Sequence, residues 1–165
     1  MSSRSYLWMA ALIAASASSL LHAQVQCGNY SIRGTYVLTY QGTVLTSQPG
    51  VAQPVPVPVV MQGVAWLYEP GKGGGGVTVS FGGQIMDLEF AECSSQVNAD
   101  CSGTVTCSGK VKGTNTLLPG QSVEKILISP DGSEVKSILI QGILGKPIML
   151  GTWKRVSLLP VPVSW

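Results

Sequence analysis

A chain of 165 residues with ten basic and eight acidic side chains, and no basic cluster longer than Lys154-Arg155, does not read as a nucleic-acid-binding protein. Its 20 glycines and 10 prolines, with no sustained helical apolar period, point away from helices. Its one histidine, His22, falls in a stretch that reads as a removable leader, so the mature protein has no Ser-His-Asp triad, Cys-His dyad or histidine metal ligand.

Residues 1–23 have the order of a secretory signal peptide: Arg4, an apolar run at 6–15, and a Leu21-His22-Ala23 cleavage site. The apolar run is well short of the roughly 20 residues a spanning helix needs. The expectation is export to a periplasmic or extracellular, oxidising compartment, with no membrane attachment once the leader is gone. Losing Arg4 leaves a near-neutral chain. Residues 24–158 then suit one domain with a useful core, and 159–165 read as a Pro/Val-rich tail. Asn29-Tyr30-Ser31 is an N-glycosylation sequon, relevant only in a eukaryotic source.

Eight short runs rich in β-branched and aromatic residues follow, at 31–40, 59–68, 77–82, 84–97, 103–112, 122–129, 133–141 and 147–156. The Pro-Val alternation at 53–58 reads as an extended loop or edge, because proline cannot donate to a ladder. The segment 70–76, Pro-Gly-Lys followed by four glycines, reads as a flexible hairpin turn. Its lysine comes too early for a phosphate-cradling loop. Ser129-Pro130-Asp131-Gly132-Ser133 is a turn in which proline presets φ and Gly132 accepts a positive one. The fold class is therefore all-β: one eight-stranded antiparallel up-and-down barrel, lipocalin-like and stapled by disulfides. A two-sheet sandwich competes on strand count.

The cysteines fall around the turn at 99–103. A turn centred near Asp100 sets residues whose numbers sum to about 200 opposite each other. Cys93 then faces Cys107, and Cys101 is left for Cys27. Four cysteines allow three connectivities, so this pairing is an expectation with the others open. With seven and five intervening residues and no CxxC, zinc is not expected, nor is any other cofactor.

Alternation along each strand sorts the side chains into faces. Tyr30, Ile32, Tyr36, Leu38 and Tyr40 share one face of the first run, and Arg33, Thr35 and Val37 the other. Val60, Gln62, Val64, Trp66 and Tyr68 share a face of the second. Aromatic faces are the natural inward ones, which makes Tyr36, Tyr40, Trp66, Tyr68, Met86, Leu88 and Phe90 the candidate lining of an interior ligand site. The bland alternative is that they fill the barrel outright.

Asp87 and Glu89 pose a conflict, because they share parity with Cys93. If the Cys93–Cys107 bridge points inward, strict alternation brings both carboxylates inside. They would then repel, raise at least one pKa and offer acid–base catalysis, with Arg33 as a third candidate catalytic residue. If Met86, Leu88 and Phe90 point inward, the acids are solvated; this hides more apolar area and is the preferred reading.

Three motifs carry a resemblance: Cys-Gly-x-Tyr-Ser-Ile-x-Gly-Thr-Tyr at 27–36, Val-Asn-Ala-Asp-Cys-Ser-Gly-Thr at 97–104, and Gly-Thr-Trp-Lys-Arg at 151–155. The chain resembles small secreted proteins of the allene oxide cyclase-like barrels, relatives in shape of dirigent proteins and lipocalins. That resemblance implies an eight-stranded barrel with an apolar cavity. Some members of the group bind small hydrophobic molecules, and others steer the cyclisation of a reactive one. No catalytic residue of the plant cyclases aligns here, and none is carried over.

The leading functional expectation is a secreted barrel that binds a small apolar or aromatic molecule inside. Two others stand beside it: a cofactor-free cyclase or isomerase, and a structural or surface-interaction module with a filled barrel. Association of copies through an outer sheet face is a further expectation.

Overall fold

The computed structural model describes residues 26–47, 50, 53–69, 72–143 and 145–159. The leader expected at 1–23 and the tail after Leu159 lie outside the described residues. A 3-10 turn at Asn29–Ile32 precedes eight strands: β1 (Gly34–Thr46), β2 (Val55–Glu69), β3 (Lys72–Phe81), β4 (Gln84–Val97), β5 (Ser102–Val111), β6 (Leu117–Ile128), β7 (Glu134–Gln141) and β8 (Lys146–Ser157). Each pairs antiparallel with its neighbours in sequence, and β1 pairs with β8 to close the barrel. Closure leaves no long sheet edge exposed.

Of the two low-complexity stretches, the Pro-Val one takes the edge-strand reading from Val55 on, and the glycine one is strand rather than turn. β2 begins at Val55, so Pro56 and Pro58 lie within it, opposite Leu45 and Thr43 of β1. Pairing with β3 starts only at Val59, so both prolines sit where the strand has a neighbour on one side, as a residue without an N–H requires. The glycine run belongs to β3, against the expectation of a flexible turn. Its missing side chains are replaced by neighbours: the Leu67 side chain fills the space over Gly73, and a Cβ at Gly74 would come 3.0 Å from the Trp66 ring.

The interior is packed by pairing large residues with small ones. Tyr36 stands opposite Ala65, and Leu38 opposite Gly63. Tyr40 stands opposite Gly151, whose vacant Cβ position its ring occupies. This register decides which face of β2 turns inward. Val59, Ala65 and Leu67 are buried, while Val60 and Tyr68 are exposed and Trp66 lies half-buried over Gly74 on the outside. The inward face expected for Trp66 and Tyr68 is thus the outward one. Tyr36 and Leu38 on β1 already claim the space, so β2 supplies Ala65 and Gly63 opposite them and its indole covers Gly74 from outside.

The conflict at β4 is resolved by a β-bulge between Phe90 and Glu92, where the register against β5 shifts. One extra residue reverses the parity of the strand. Leu88 before the bulge and Cys93 after it are both buried in the core, with Met86 and Phe90 packed against it. Asp87 is exposed and accepts a hydrogen bond from Thr78 Oγ1 at 2.6 Å; Glu89 pairs with Lys110 at 2.9 Å across β4 and β5.

Two disulfides join Cys93 to Cys107 and Cys27 to Cys101. Cys93 and Cys107 are directly opposite, with Cα atoms 4.1 Å apart, the spacing of a narrow antiparallel pair. The second bridge ties the segment before β1 to the β4–β5 turn, reinforced by the Val97 N–H donating to Asn29 Oδ1 at 2.8 Å.

Candidate functional site

The carboxyl buried inside the barrel belongs to neither Asp87 nor Glu89, the two weighed from sequence. Glu124 of β6 is 7% exposed and shares its inward face with Ile126 and Ile128. Its Cα partners are Val105 on β5 and Leu139 on β7, so apolar strands flank it. The Tyr40 hydroxyl, from β1, donates to Glu124 Oε2 at 2.6 Å. The indole N–H of Trp153, from β8, donates in turn to the Tyr40 oxygen. Trp153 is itself braced edge-on by Tyr36, with ring centres 6.1 Å apart.

Ser137 completes the cluster. Its side chain is buried at 3% exposure beside Tyr40 and Glu124, and its hydroxyl has no hydrogen-bond partner of good geometry. A buried hydroxyl without a partner is costly and marks a place for water or a polar guest.

Burial sets the electrostatics. Desolvation pushes the Glu124 carboxyl up from 4.5 to about 7, with the hydrogen bond from Tyr40 and the nearby Ser137 hydroxyl acting against it. Tyr40 is raised well above the ordinary phenol value, first by burial and then by the adjacent carboxylate, so it remains a donor. Near neutrality Glu124 therefore exchanges between a neutral acid and a carboxylate inside an apolar enclosure, the condition for general acid–base action.

A cavity of about 60 Å³ adjoins this cluster, walled by Tyr40, Met61, Leu88, Phe90, Met149 and Ile143 among others, with Glu124 and Ser122 as its polar points. A second void of about 10 Å³ lies on the other side of Glu124, toward Trp153 and the Cys93–Cys107 bridge. A cavity that admits benzene measures about 150 Å³. As it stands, the interior takes only a few non-hydrogen atoms.

Of the residues singled out from sequence, Tyr40, Leu88 and Phe90 come together at this cavity. Tyr36 is buried elsewhere in the core, its hydroxyl donating to the Gly132 carbonyl at 3.1 Å, and burial raises it to about 12. Met86 packs against the core, and Trp66 and Tyr68 face outward. Asp87, Glu89 and Arg33 are not at the interior site: Asp87 and Glu89 make the outer cross-strand contacts, and Arg33 is exposed, its carbonyl accepting from Arg155. Glu124, Ser137 and Trp153 were not anticipated. The signal for Glu124 was weak, since Lys125 offers an equal charge on the opposite face of the same run.

Among the described residues no group of histidine, cysteine and carboxylate side chains is placed to hold a metal ion, and no helix is long and apolar enough to cross a membrane. The two disulfides are compatible with an extracellular, oxidising setting. Comparison of the chain with models of protein families, with curated proteins and with solved structures finds no match.

Proposed function

We propose that this chain is an exported barrel that holds a small, mainly apolar molecule bearing one polar group, with that group at Glu124. The observation that carries the reading is the buried Glu124 carboxyl, held by Tyr40 beside an apolar cavity. A carboxyl in that place lowers stability, a cost that a binding role would explain, and the Ser137 hydroxyl offers a second polar contact. The cavity accepts a guest of a few non-hydrogen atoms at rest. A larger guest requires Met61, Met149, Phe90 and Ile143 to repack, and unbranched methionines do this readily. Export rests on the leader-like residues 1–23 and fits the disulfides.

The same carboxyl supports a second reading, the cofactor-free cyclase or isomerase that the barrel resemblance implies. Glu124, pushed up to about 7, would move the proton, and Tyr40 would hydrogen-bond the oxygen on which charge develops.

The test is a titration of isotope-labelled mature protein with small phenols, alcohols and carboxylic acids, following the Trp153 indole N–H resonance and the thermal midpoint. Binding should shift that resonance and raise the midpoint, and Glu124→Gln should weaken both responses. If no compound in the panel perturbs Trp153, the barrel is a filled scaffold and the interior reading fails.

A further inference from the structure

We propose that the outer face of β6, β7, β8, β1 and β2 binds a free single-chain anionic amphiphile such as a long-chain fatty acid, with its carboxylate at Lys125 and its chain laid across the strands. This site is separate from the barrel interior and does not depend on the interior reading.

A groove of about 710 Å³ lies on this face, within the roughly 300–1,000 Å³ of small-molecule sites and far larger than the interior cavity. Its walls are two outward-facing cross-strand ladders, and its floor is the ladder between them, Ile126, Ser137, Gly151, Tyr40, Met61, whose side chains turn to the interior. The first runs Lys125, Ile138, Leu150, Gln41, Val60, each directly opposite the next. The second runs Leu127, Lys136, Thr152, Thr39, Gln62.

The first ladder has the shape of the ligand. It crosses four gaps between strands, about 19 Å at about 4.8 Å each, the scale of an extended acyl chain. Lys125 stands at one end, and Ile138 and Leu150 follow it at 52% and 64% exposure. Ile140 and Ile148, on the same side of β7 and β8, are also exposed and widen the apolar strip. The exposed apolar side chains stand side by side on β7 and β8, with Val60 beyond Gln41, and an apolar patch of this kind marks a contact site. The second ladder supplies a mostly polar wall.

Charge selects the head group. No carboxylate lines the groove. Lys136 is already engaged, 2.7 Å from Glu134 and bonded to Thr152 Oγ1 at 3.3 Å. Among the described residues no ion pair involves Lys125, which leaves it to take an anion.

The alternatives fit less well. An extended peptide gains its affinity by adding a strand to a sheet edge, and a closed barrel offers none. Anionic membrane surfaces are held by clusters of roughly 4–8 basic residues, whereas this groove has two lysines, one of them paired. An acyl chain needs neither main-chain partners nor a polybasic patch.

The test titrates the mature chain with oleate below its micelle concentration, by displacement of a fluorescent fatty-acid analogue. Vesicles of phosphatidylcholine with phosphatidylglycerol form a parallel sedimentation arm. Leu150→Asp and Lys125→Glu, both at surface positions, should each weaken oleate binding roughly tenfold or more, with circular dichroism unchanged. Ile85→Asp, at a 75% exposed apolar position on β4, should leave it as it was. Three outcomes overturn the proposal: no binding of oleate, binding indifferent to both groove substitutions, or sedimentation with anionic vesicles without binding of free oleate.

Discussion

Glu124 and Tyr40 are 84 positions apart in sequence and meet inside the barrel, the phenol donating to the carboxyl at 2.6 Å. The pairing joins strands β6 and β1, which are not neighbours in the sheet, so it spans the lumen. It makes stability depend on pH. The carboxyl titrates near 4.5 when unfolded and at about 7 when folded. Above the lower value the unfolded chain releases a proton that the native state still holds, so unfolding becomes easier as pH rises. The loss accumulates between the two values, is flat beyond the upper one, and totals about 3 kcal/mol. Glu124→Gln should gain on the parent protein by that amount across the window, measured by urea unfolding. Parallel pH profiles for the two proteins would show that Glu124 is not buried as described.

Tyr40→Phe removes one hydroxyl and strands two partners, the Trp153 N–H and Glu124 Oε2. Each buried group left without a bond costs about 1–3 kcal/mol. The hydrogen bond from Tyr40 also lowers the carboxyl pKa, so its loss should raise the Glu124 pKa further. Carboxyl carbon chemical shifts followed by NMR against pH test the direction, and an unchanged or lower titration midpoint contradicts it.

Gly151 is fixed by sterics, because a Cβ there would collide with the Tyr40 ring and come 2.5 Å from Ser137 Oγ. Gly151→Ala should destabilise by about 1–3 kcal/mol, as overpacked cores do. Tyr40→Leu in the same chain should recover part of that cost. Denaturant midpoints of the single and double variants decide it, and strict additivity would mean that the two residues do not share the space.

The two disulfides close loops of different length, with sequence separations of 14 and 74. Chain entropy assigns about 3 kcal/mol to the shorter and about 4.5 kcal/mol to the longer. Replacing Cys27 and Cys101 by serine should therefore lower stability more than replacing Cys93 and Cys107. Equilibrium unfolding of the two double variants checks the order.

The strand count and the facing of Cys93 and Cys107 are legible in turn residues and alternation, which act over short distances, and Cys27–Cys101 is then the pair that remains. Which face of β2 turns inward is not, because Trp66 and Tyr68 satisfy the inward pattern as well as Leu67 and Ala65 do. That choice is made on the neighbouring strand by Tyr36 and Leu38, whose bulk is met by Ala65 and Gly63. Glu124 was hidden for a similar reason. Its run, Ser122 to Ser129, has apolar residues on both faces and one charge on each, so alternation alone cannot separate Glu124 from Lys125. The acids at 87 and 89 were placed correctly by counting apolar area, although the bulge that lets Cys93 point inward as well leaves no trace in composition.

That bulge makes β4 sensitive to its own length. Deleting one residue at Ala91 would act on the strand as a frameshift acts on a message, preserving every side chain while reversing the orientation of those on one side of the deletion. Either Cys93 would swing away from Cys107 and the bridge could not close, or Asp87 and Glu89 would be driven among Leu88's present neighbours while Leu88 itself turned to solvent. A strand with exposed positions such as Ile85 and Asp87, open to substitution, would thus tolerate almost no change in spacing.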